Sequence, residues 1–178
     1  MNAVWRSWPA PLLVMALCGC GPKEPSQPNL PESAAAAPID GARYLLDVEP
    51  EAPAQVIAAR AQTEDGEEVV VTGRIGGSAN PWVEGRAAFS IVDSSLQACS
   101  DREGDECPVP WDYCCETEKL PTATALVKVV DGQGHLVKAD ARSLLGVEEL
   151  ETVVVRGKAQ RDASGNLTIL ADGVCLKK

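Results

Sequence analysis

The sequence has few of the residues on which most enzymes depend. Its 178 residues include one histidine, one phenylalanine and only 4% aromatic residues. The single His135 lies in the turn-like segment DGQGHLV, and no G-x-S-x-G segment is present, which argues against serine–histidine hydrolysis. A P-loop, a dinucleotide-binding glycine fingerprint and a zinc-protease motif are also absent. We therefore predict that the protein is not an enzyme.

Basic charge is also scarce. The chain has 16 Lys and Arg residues against 26 Asp and Glu residues, and its formal net charge is −10 at pH 7. Nucleic-acid-binding modules need a basic groove and aromatic rings for base stacking, and an acidic surface repels phosphate backbones. The composition therefore excludes nucleic acid as an expected partner.

Long hydrophobic runs are missing as well. The apolar run over residues 11–17 is too short to span a bilayer as a helix. It follows a single Arg6 and precedes small residues, which is the charge order of a secretory signal. The sequence therefore predicts export from the cytoplasm.

The segment LCGC at the end of that run resembles the bacterial lipobox. Leu17 stands three residues before Cys20, and Gly19 stands immediately before it. Cys18 departs from the pattern, because that position usually holds Ala or Ser. The resemblance implies a lipoprotein signal peptide over residues 1–19, acylation of Cys20 (palmitate or a similar chain) and a lipid anchor in the bacterial cell envelope that leaves the protein facing the periplasm. The alternative is a plain secretory signal that is cut elsewhere.

Two segments precede the main domain. Residues 20–42 are rich in Pro, Ser and Ala and cannot bury enough apolar surface to offset the entropy of ordering, so we expect a disordered tether. Residues 43–66 form an Ala-rich segment in which Pro53 suits a first helical turn and the pattern ends near Gly66. We expect an N-terminal helix that packs on the domain as a lid.

Residues 67–178 are expected to form a β-barrel domain. Alternating apolar residues predict three strands, a short helix that Asp140 can cap, and two further strands joined by the turn segment RDASGN. Val71 and Val154 are expected to face one core, and Gly73 and Gly157 are expected where strands bend sharply. The predicted strands lie in the segments EVVVTGRIGG, AAFSIVDSS, ATALVKVVD, TVVVRGKAQ and LTILADGVCL.

This element order resembles bacterial extracytoplasmic OB-fold proteins, whose fold is a five-stranded Greek-key barrel. The resemblance covers residues 67–176 and rests on the strand glycines and the order of the elements. The fold class is therefore predicted as mainly β: an OB-like five-stranded barrel with one short helix between strands three and four, plus the N-terminal helix. An open β-sandwich is the rival architecture.

A cysteine-rich insertion over residues 97–119 separates the second and third strands. Its spacing is C-x7-C-x6-C-C, and Cys175 stands alone near the C-terminus. The insertion carries many carboxylates and two prolines, so we expect a covalent or coordinate link to order it. The four thiols of the insertion are Cys99, Cys107, Cys114 and Cys115.

Three chemistries compete for these thiols. Two disulfides are the first expectation, because thiols outside the cytoplasm usually pair, and strain in an adjacent pair leaves two connectivities. A tetrahedral zinc site on the same four cysteines is the alternative, although the C-x2-C spacing of structural zinc sites is absent. A reactive or redox thiol is disfavoured, because nearby carboxylates raise thiol pKa values.

Aromatic and basic side chains define a possible ligand groove, in which Trp82 and Trp111 would flank a bound molecule. The simpler interpretation is that these aromatics plug the mouth of the barrel. Glu84 and Asp93 border the second strand, but carboxylates on so acidic a chain are expected to be solvated. The candidate groove residues are Trp82, Trp111, Tyr113, Arg74, Lys128 and Arg156.

The combined expectation is a non-enzymatic, lipid-anchored binding or scaffold module of the envelope that needs no cofactor. Its partners would be the membrane, through the anchor, and an envelope protein or small ligand that the sequence does not identify. The alternative is a metal-binding or redox accessory protein that uses the cysteine cluster, with zinc as the cofactor.

Overall fold

Alternating apolar residues build the strands of a closed barrel, as the sequence predicts. The structure is a computed structural model that describes residues 39–177, so the predicted signal peptide, Cys20 and most of the predicted tether lie outside the described residues. The elements, in chain order, are β1 (Ala54–Gln55), α1 (Val56–Gln62), β2 (Glu68–Ile75), β3 (Ala88–Val92), α2 (Leu120–Ala123), β4 (Thr124–Val129), α3 (Ala141–Leu145), β5 (Thr152–Arg161) and β6 (Leu167–Leu176).

The five long strands pair around a ring. Strand β2 runs antiparallel to β3, and β3 runs antiparallel to β4. Strand β4 runs parallel to β6, β6 runs antiparallel to β5, and β5 returns to β2 and closes the barrel. The predicted OB-like barrel, with a short helix between its third and fourth strands, is confirmed.

The barrel interior is filled by the inward faces of all five strands. Val71, Phe89, Val127 and Ile169 are fully buried in one apolar cluster. Val155, and not Val154, lies opposite Val71, while Val154 lies opposite Thr72. The expectation that Val71 and Val154 share this core is therefore wrong by one residue, although Val154 is buried. Three consecutive valines hide the two-residue period that would have set the register.

Two strand glycines lie where another chain segment approaches closely. A Cβ on Gly157 would lie 2.2 Å from the Leu170 carbonyl oxygen, and the β5–β6 register shifts between Arg156 and Gly157. A Cβ on Gly73 would lie 3.0 Å from a methyl group of Val56. Both glycines therefore permit close packing, and Gly157 coincides with a bulge in the strand, where the sequence predicts a sharp bend.

The predicted N-terminal helix is present but begins later than Pro53. Ala54 and Gln55 pair in parallel with β2, opposite Val71 and Thr72, and α1 begins at Val56. Val56 and Ala59 are buried against the barrel core. The helix therefore packs on the barrel, as a lid would.

The segment before the helix also packs on the barrel. Tyr44, in the 3₁₀ turn Ala42–Tyr44, is buried in the main core. Leu45 forms a parallel bridge with Val174, and the Leu46 amide donates to the Val174 carbonyl over 2.9 Å. We call residues 42–46 the strap. No helix within residues 39–177 is both long and apolar enough to cross a bilayer.

The short helix between the third and fourth strands of the barrel has the predicted cap. The Asp140 side chain accepts hydrogen bonds from the amides of Arg142 and Ser143. Gly146 ends the helix in a left-handed conformation with φ of 68°. Leu144 and Leu145 are buried in the core.

Candidate functional site

The cysteine-rich insertion is an ordered loop that leaves the barrel after β3 and returns at β4. Two backbone hydrogen bonds join its outgoing and returning limbs: the Cys99 amide donates to the Asp112 carbonyl over 2.8 Å, and the Ser100 amide donates to the Pro110 carbonyl over 3.0 Å. Both donors belong to the 3₁₀ turn Cys99–Asp101, and a second 3₁₀ turn, Cys114–Glu116, follows Asp112 on the returning limb. These contacts bring the first and third cysteines of the insertion together.

A small apolar cluster of its own supports the loop. Tyr113 is buried with Val92, Leu96, Ala98 and Ala123. The sequence analysis expected only a covalent or coordinate link to order the loop. Burial of this apolar cluster also stabilises it.

Tyr113 fits against the barrel because a glycine faces it. A Cβ on Gly76 would lie 2.9 Å from Cε2 of the Tyr113 ring. The Tyr113 hydroxyl is buried and has no hydrogen-bond partner of good geometry among residues 39–177. Burial raises the pKa of Tyr113, although the nearby Arg74 guanidinium acts in the opposite direction. The ring therefore holds the loop by packing, while its hydroxyl lies near the Arg74 guanidinium and makes no well-formed hydrogen bond with the part of the chain that the structure describes.

Ion pairs neutralise part of the loop's acidic charge. Arg74 of β2 forms an ion pair with Asp101, and its Nε donates to the Leu150 carbonyl over 3.0 Å. Desolvation opposes ionisation of Asp101, but hydrogen bonds from Arg74 and from the Ala98 amide outweigh it and lower the pKa of Asp101. Arg74 therefore ties the loop to the barrel wall, which the sequence could not indicate because the two partners lie 27 residues apart.

A second ion-pair group lies on the returning limb. Glu116 contacts Lys119 over 2.6 Å and Arg102 over 2.8 Å. The hydrogen bond from Lys119, with a further contribution from Arg102, lowers the pKa of Glu116 despite its partial desolvation. Arg102 and Lys119 therefore offset part of the acidic charge of the insertion.

Three of the four cysteines of the insertion form one cluster. The sulfur atoms of Cys99, Cys107 and Cys114 all lie within 4.8 Å of one another. The Sγ atoms of Cys99 and Cys114 are 3.3 Å apart, and no cysteine pair within residues 39–177 lies at disulfide bonding distance. Sulfurs that bind one tetrahedral zinc ion at about 2.3 Å are about 3.8 Å apart, so the cluster fits a zinc-sized ion.

Cys115 stands beside the cluster and Cys175 stands apart from it. The Cys115 sulfur lies 3.9 Å from that of Cys114, and its side chain is exposed. Hydrogen-bonding contacts with the Cys99 and Cys115 thiols raise the pKa of Cys114 to about 12. Cys175 is buried on β6 opposite Val154, and its sulfur contacts the Leu176 carbonyl. Cys175 is therefore not a member of the loop cluster.

The two tryptophans of the predicted groove make structural contacts. Trp82 is buried, its ring lies 5.8 Å from that of Phe89, and its Nε1 donates to Glu149 over 2.6 Å. Trp111 is half-buried and donates to the Ala79 carbonyl over 3.1 Å. Trp82 therefore helps to form the core, while Trp111 lies between the loop and the segment after β2.

The basic groove candidates lie in different settings. Arg74 pairs with Asp101 at the cysteine loop, whereas the exposed Arg156 of β5 pairs with Asp172 over 2.8 Å. Lys128 is half-buried on β4 and lies opposite Ala88 and Leu170. Arg156 lines a surface depression of about 260 Å³ that includes none of the other five candidates. The structure thus brings Arg74 and Tyr113 together at the loop, and it places Arg156 in a separate depression.

Asp93, at the end of β3, has a structural role that the sequence analysis missed. Its side chain is 3% exposed, and both carboxylate oxygens accept hydrogen bonds: from the Ile57 amide, and from the amide and hydroxyl of Ser95. Asp93 is therefore a buried cap for α1 and not a solvated carboxylate.

Fold and loop together define a small OB-like β-barrel domain with a cysteine-rich insertion. The sequence matches no protein-family model and no curated protein.

Proposed function

We propose that this protein is a non-enzymatic binding or scaffold module of the bacterial cell envelope. Acyl chains on the sulfur and the amine of Cys20 would hold it at the membrane, with the barrel facing the periplasm. The partner would be an envelope protein or a small ligand, and the acidic surface argues against nucleic acid. The LCGC segment supports the anchor, and the ordered cysteine loop supports the binding role.

The observation that carries the binding role is the loop's preformed shape. Backbone hydrogen bonds, the Tyr113 cluster and the Arg74–Asp101 pair order the loop, while residues 103–106 at its tip are exposed. A loop that is already ordered loses little conformational entropy when a partner binds it. Long ordered loops on a rigid scaffold commonly carry binding function.

Disulfides are part of this proposal. An extracytoplasmic compartment oxidises paired thiols, and the Cys99 and Cys114 sulfurs need to approach by only about 1.3 Å to reach the disulfide length of about 2.05 Å. This pairing leaves Cys107 and Cys115 for a second bridge. A bridge that closes a loop of this size contributes about 2–3 kcal/mol.

Membrane fractionation of cells that express the full chain tests the anchor. Wild type is expected in the membrane fraction after a high-salt wash, because two acyl chains make membrane binding stable. Cys20→Ala should leave an unprocessed or soluble form, and the matched control Cys18→Ala should behave like wild type. If Cys20→Ala stays with salt-washed membranes, the lipobox assignment is wrong.

Differential alkylation tests the bridges. The exported protein is alkylated before and after reduction, and its peptides are then analysed by mass spectrometry. Cys99 and Cys114 are expected to react only after reduction. If both react beforehand, the covalent staple is refuted while the anchor proposal still stands.

A metal-handling or redox accessory role is the second candidate function. The observation that favours it is the three-sulfur cluster, because three thiols within 4.8 Å form a ready donor set for zinc. Zinc bound there would cross-link the same three parts of the loop that the disulfides would otherwise connect.

A further inference from the structure

The three clustered sulfurs come from three separately supported parts of the loop. The Cys99 amide itself pairs with the Asp112 carbonyl of the opposite limb, and Cys114 is the first residue of the 3₁₀ turn Cys114–Glu116. The Cys107 amide donates to the Asp105 carboxylate over 3.0 Å in the exposed tip. Main-chain contacts therefore position all three thiols without a bond between any two of them.

The cluster has the size that a bound cation requires. The Cys99–Cys114 separation of 3.3 Å and the 4.8 Å limit for all three pairs bracket the sulfur spacing of about 3.8 Å around a tetrahedral ion. Soft thiolate ligands favour Zn²⁺ and Cu⁺ over hard cations such as Mg²⁺ or Ca²⁺. The donor set therefore selects a thiophilic cation with a filled d shell.

The charge around the cluster favours the same class of ligand. Glu103, Asp105 and Glu106 precede Cys107 in the exposed tip, while Arg102 and Lys119 are occupied by Glu116. An acidic surface raises the local concentration of cations and lowers that of anions.

We propose that reduced Cys99, Cys107 and Cys114 bind one thiophilic d¹⁰ cation, and that closure of the Cys99–Cys114 disulfide expels it. This inference rests on the disulfide proposed above and adds a second state of the same loop. The scaffold would then carry a metal in its reduced form and a covalent staple in its oxidised form.

The switch needs only thiol–disulfide exchange. The Cys99 thiolate attacks an external disulfide, a small-molecule or protein dithiol in oxidised form, and releases one thiolate. The Cys114 thiolate then attacks the mixed disulfide and releases the second. The two loop sulfurs are oxidised, the external disulfide is reduced to two thiolates, and the cation leaves because two of its three ligands are no longer thiolates.

Native mass spectrometry of the full chain tests both states. All samples carry Cys18→Ser and Cys20→Ser, so that the two N-terminal thiols do not contribute, and they are prepared reduced or treated with oxidised glutathione. Zn²⁺ is the mass probe. Cd²⁺ is the optical probe, since its bonds to thiolates absorb in the ultraviolet.

The expected result is one ion per reduced chain and none per oxidised chain. Cys107→Ser should lose the ion but still form the Cys99–Cys114 disulfide, and an unchanged far-ultraviolet circular dichroism spectrum would show that it folds. The controls Cys115→Ser and Cys175→Ser should each retain the ion.

Other outcomes distinguish the metal site from the disulfide switch. A reduced chain that takes up no ion, an oxidised chain that keeps it, or retention by Cys107→Ser would overturn the metal site. Loss of the ion in Cys115→Ser would refute the three-ligand assignment. If the reduced chain binds the ion but no disulfide forms after treatment with oxidised glutathione, the switch and the disulfide staple are refuted, while the metal site still stands.

Discussion

The carboxylate of Asp93 accepts a hydrogen bond of 2.8 Å from the backbone amide of Ile57, 36 residues earlier in the chain. The end of β3 thereby caps the first turn of α1. At the other end of the helix, the Arg161 guanidinium of β5 donates to the carbonyl oxygens of Arg60 and Thr63. Two distant strands therefore hold α1 by its unpaired backbone groups, which every isolated helix leaves exposed.

Replacing Asp93 with Ala should cost about 2–3 kcal/mol of unfolding free energy, because a helix cap is lost and buried donors lose their acceptor. Urea unfolding measures the cost, and amide hydrogen exchange should rise most over residues 56–62. The neighbouring Ser94 makes only an exposed contact with Gln55, so Ser94→Ala should change stability by less than about 0.5 kcal/mol. Unchanged amide protection in Asp93→Ala would refute the capping role.

Replacing Tyr113 with Phe should be neutral, or should stabilise the protein by up to about 1 kcal/mol, because the buried hydroxyl has no partner of good geometry within residues 39–177. Tyr113→Ala should cost about 3–5 kcal/mol, since the ring packs in the loop's apolar cluster. Thermal and urea unfolding of the two variants separate these effects. A cost above about 1 kcal/mol for Tyr113→Phe would mean that the hydroxyl does make a hydrogen bond.

Gly157→Ala should destabilise the barrel by about 2 kcal/mol or more, because the new Cβ would lie 2.2 Å from a backbone oxygen that cannot rotate away. Gly132→Ala is the matched control: its Cβ would meet no atom within 4 Å. Urea midpoints of the two variants provide the test. Equal midpoints would contradict the close β5–β6 approach at the bulge.

The cap of α3 should make stability depend on acid. The side-chain hydrogen bond from Arg142, with those from the Ser143 and Arg142 amides, lowers the pKa of Asp140 below 3.8. The carboxylate's contribution is therefore fully present above that value and is lost as pH falls through the lower folded-state pKa.

Urea unfolding of wild type and of Asp140→Asn, at about pH 6 and about pH 2.5, tests this cap. Wild type should be more stable than the variant at the higher pH, and the gap should narrow in acid. Asp172→Asn removes an exposed ion pair and should have a small effect at both pH values. A gap that widens in acid would reverse the predicted sign.

The strand pattern and the cap of α3 could be predicted from the sequence because both are local. Alternation places Phe89 and Ile91 inward, and Asp140 reaches amides two and three residues ahead of it. Register was harder to predict, because Val153, Val154 and Val155 are equally apolar. Pairing with β2 and β6 decides which of these valines face the core.

The cysteine cluster could be predicted only in outline. Spacing brings four thiols into one loop, but it cannot show that hydrogen bonds from Cys99 and Ser100 join the two limbs and set the sulfur distances. The support from Arg74 and Gly76 depends on a strand far away in sequence. Such long-range contacts follow from the completed fold and leave no local signal in the sequence.

The strap has a mechanical consequence. Leu45 pairs in parallel with Val174, and Glu49 contacts Lys177 over 3.1 Å. A pull on the chain from its N-terminal side would first load the Leu45–Val174 contact and the buried Tyr44 ring. Tension applied from that side would thus be carried by the strap before the barrel's hydrogen bonds are stretched.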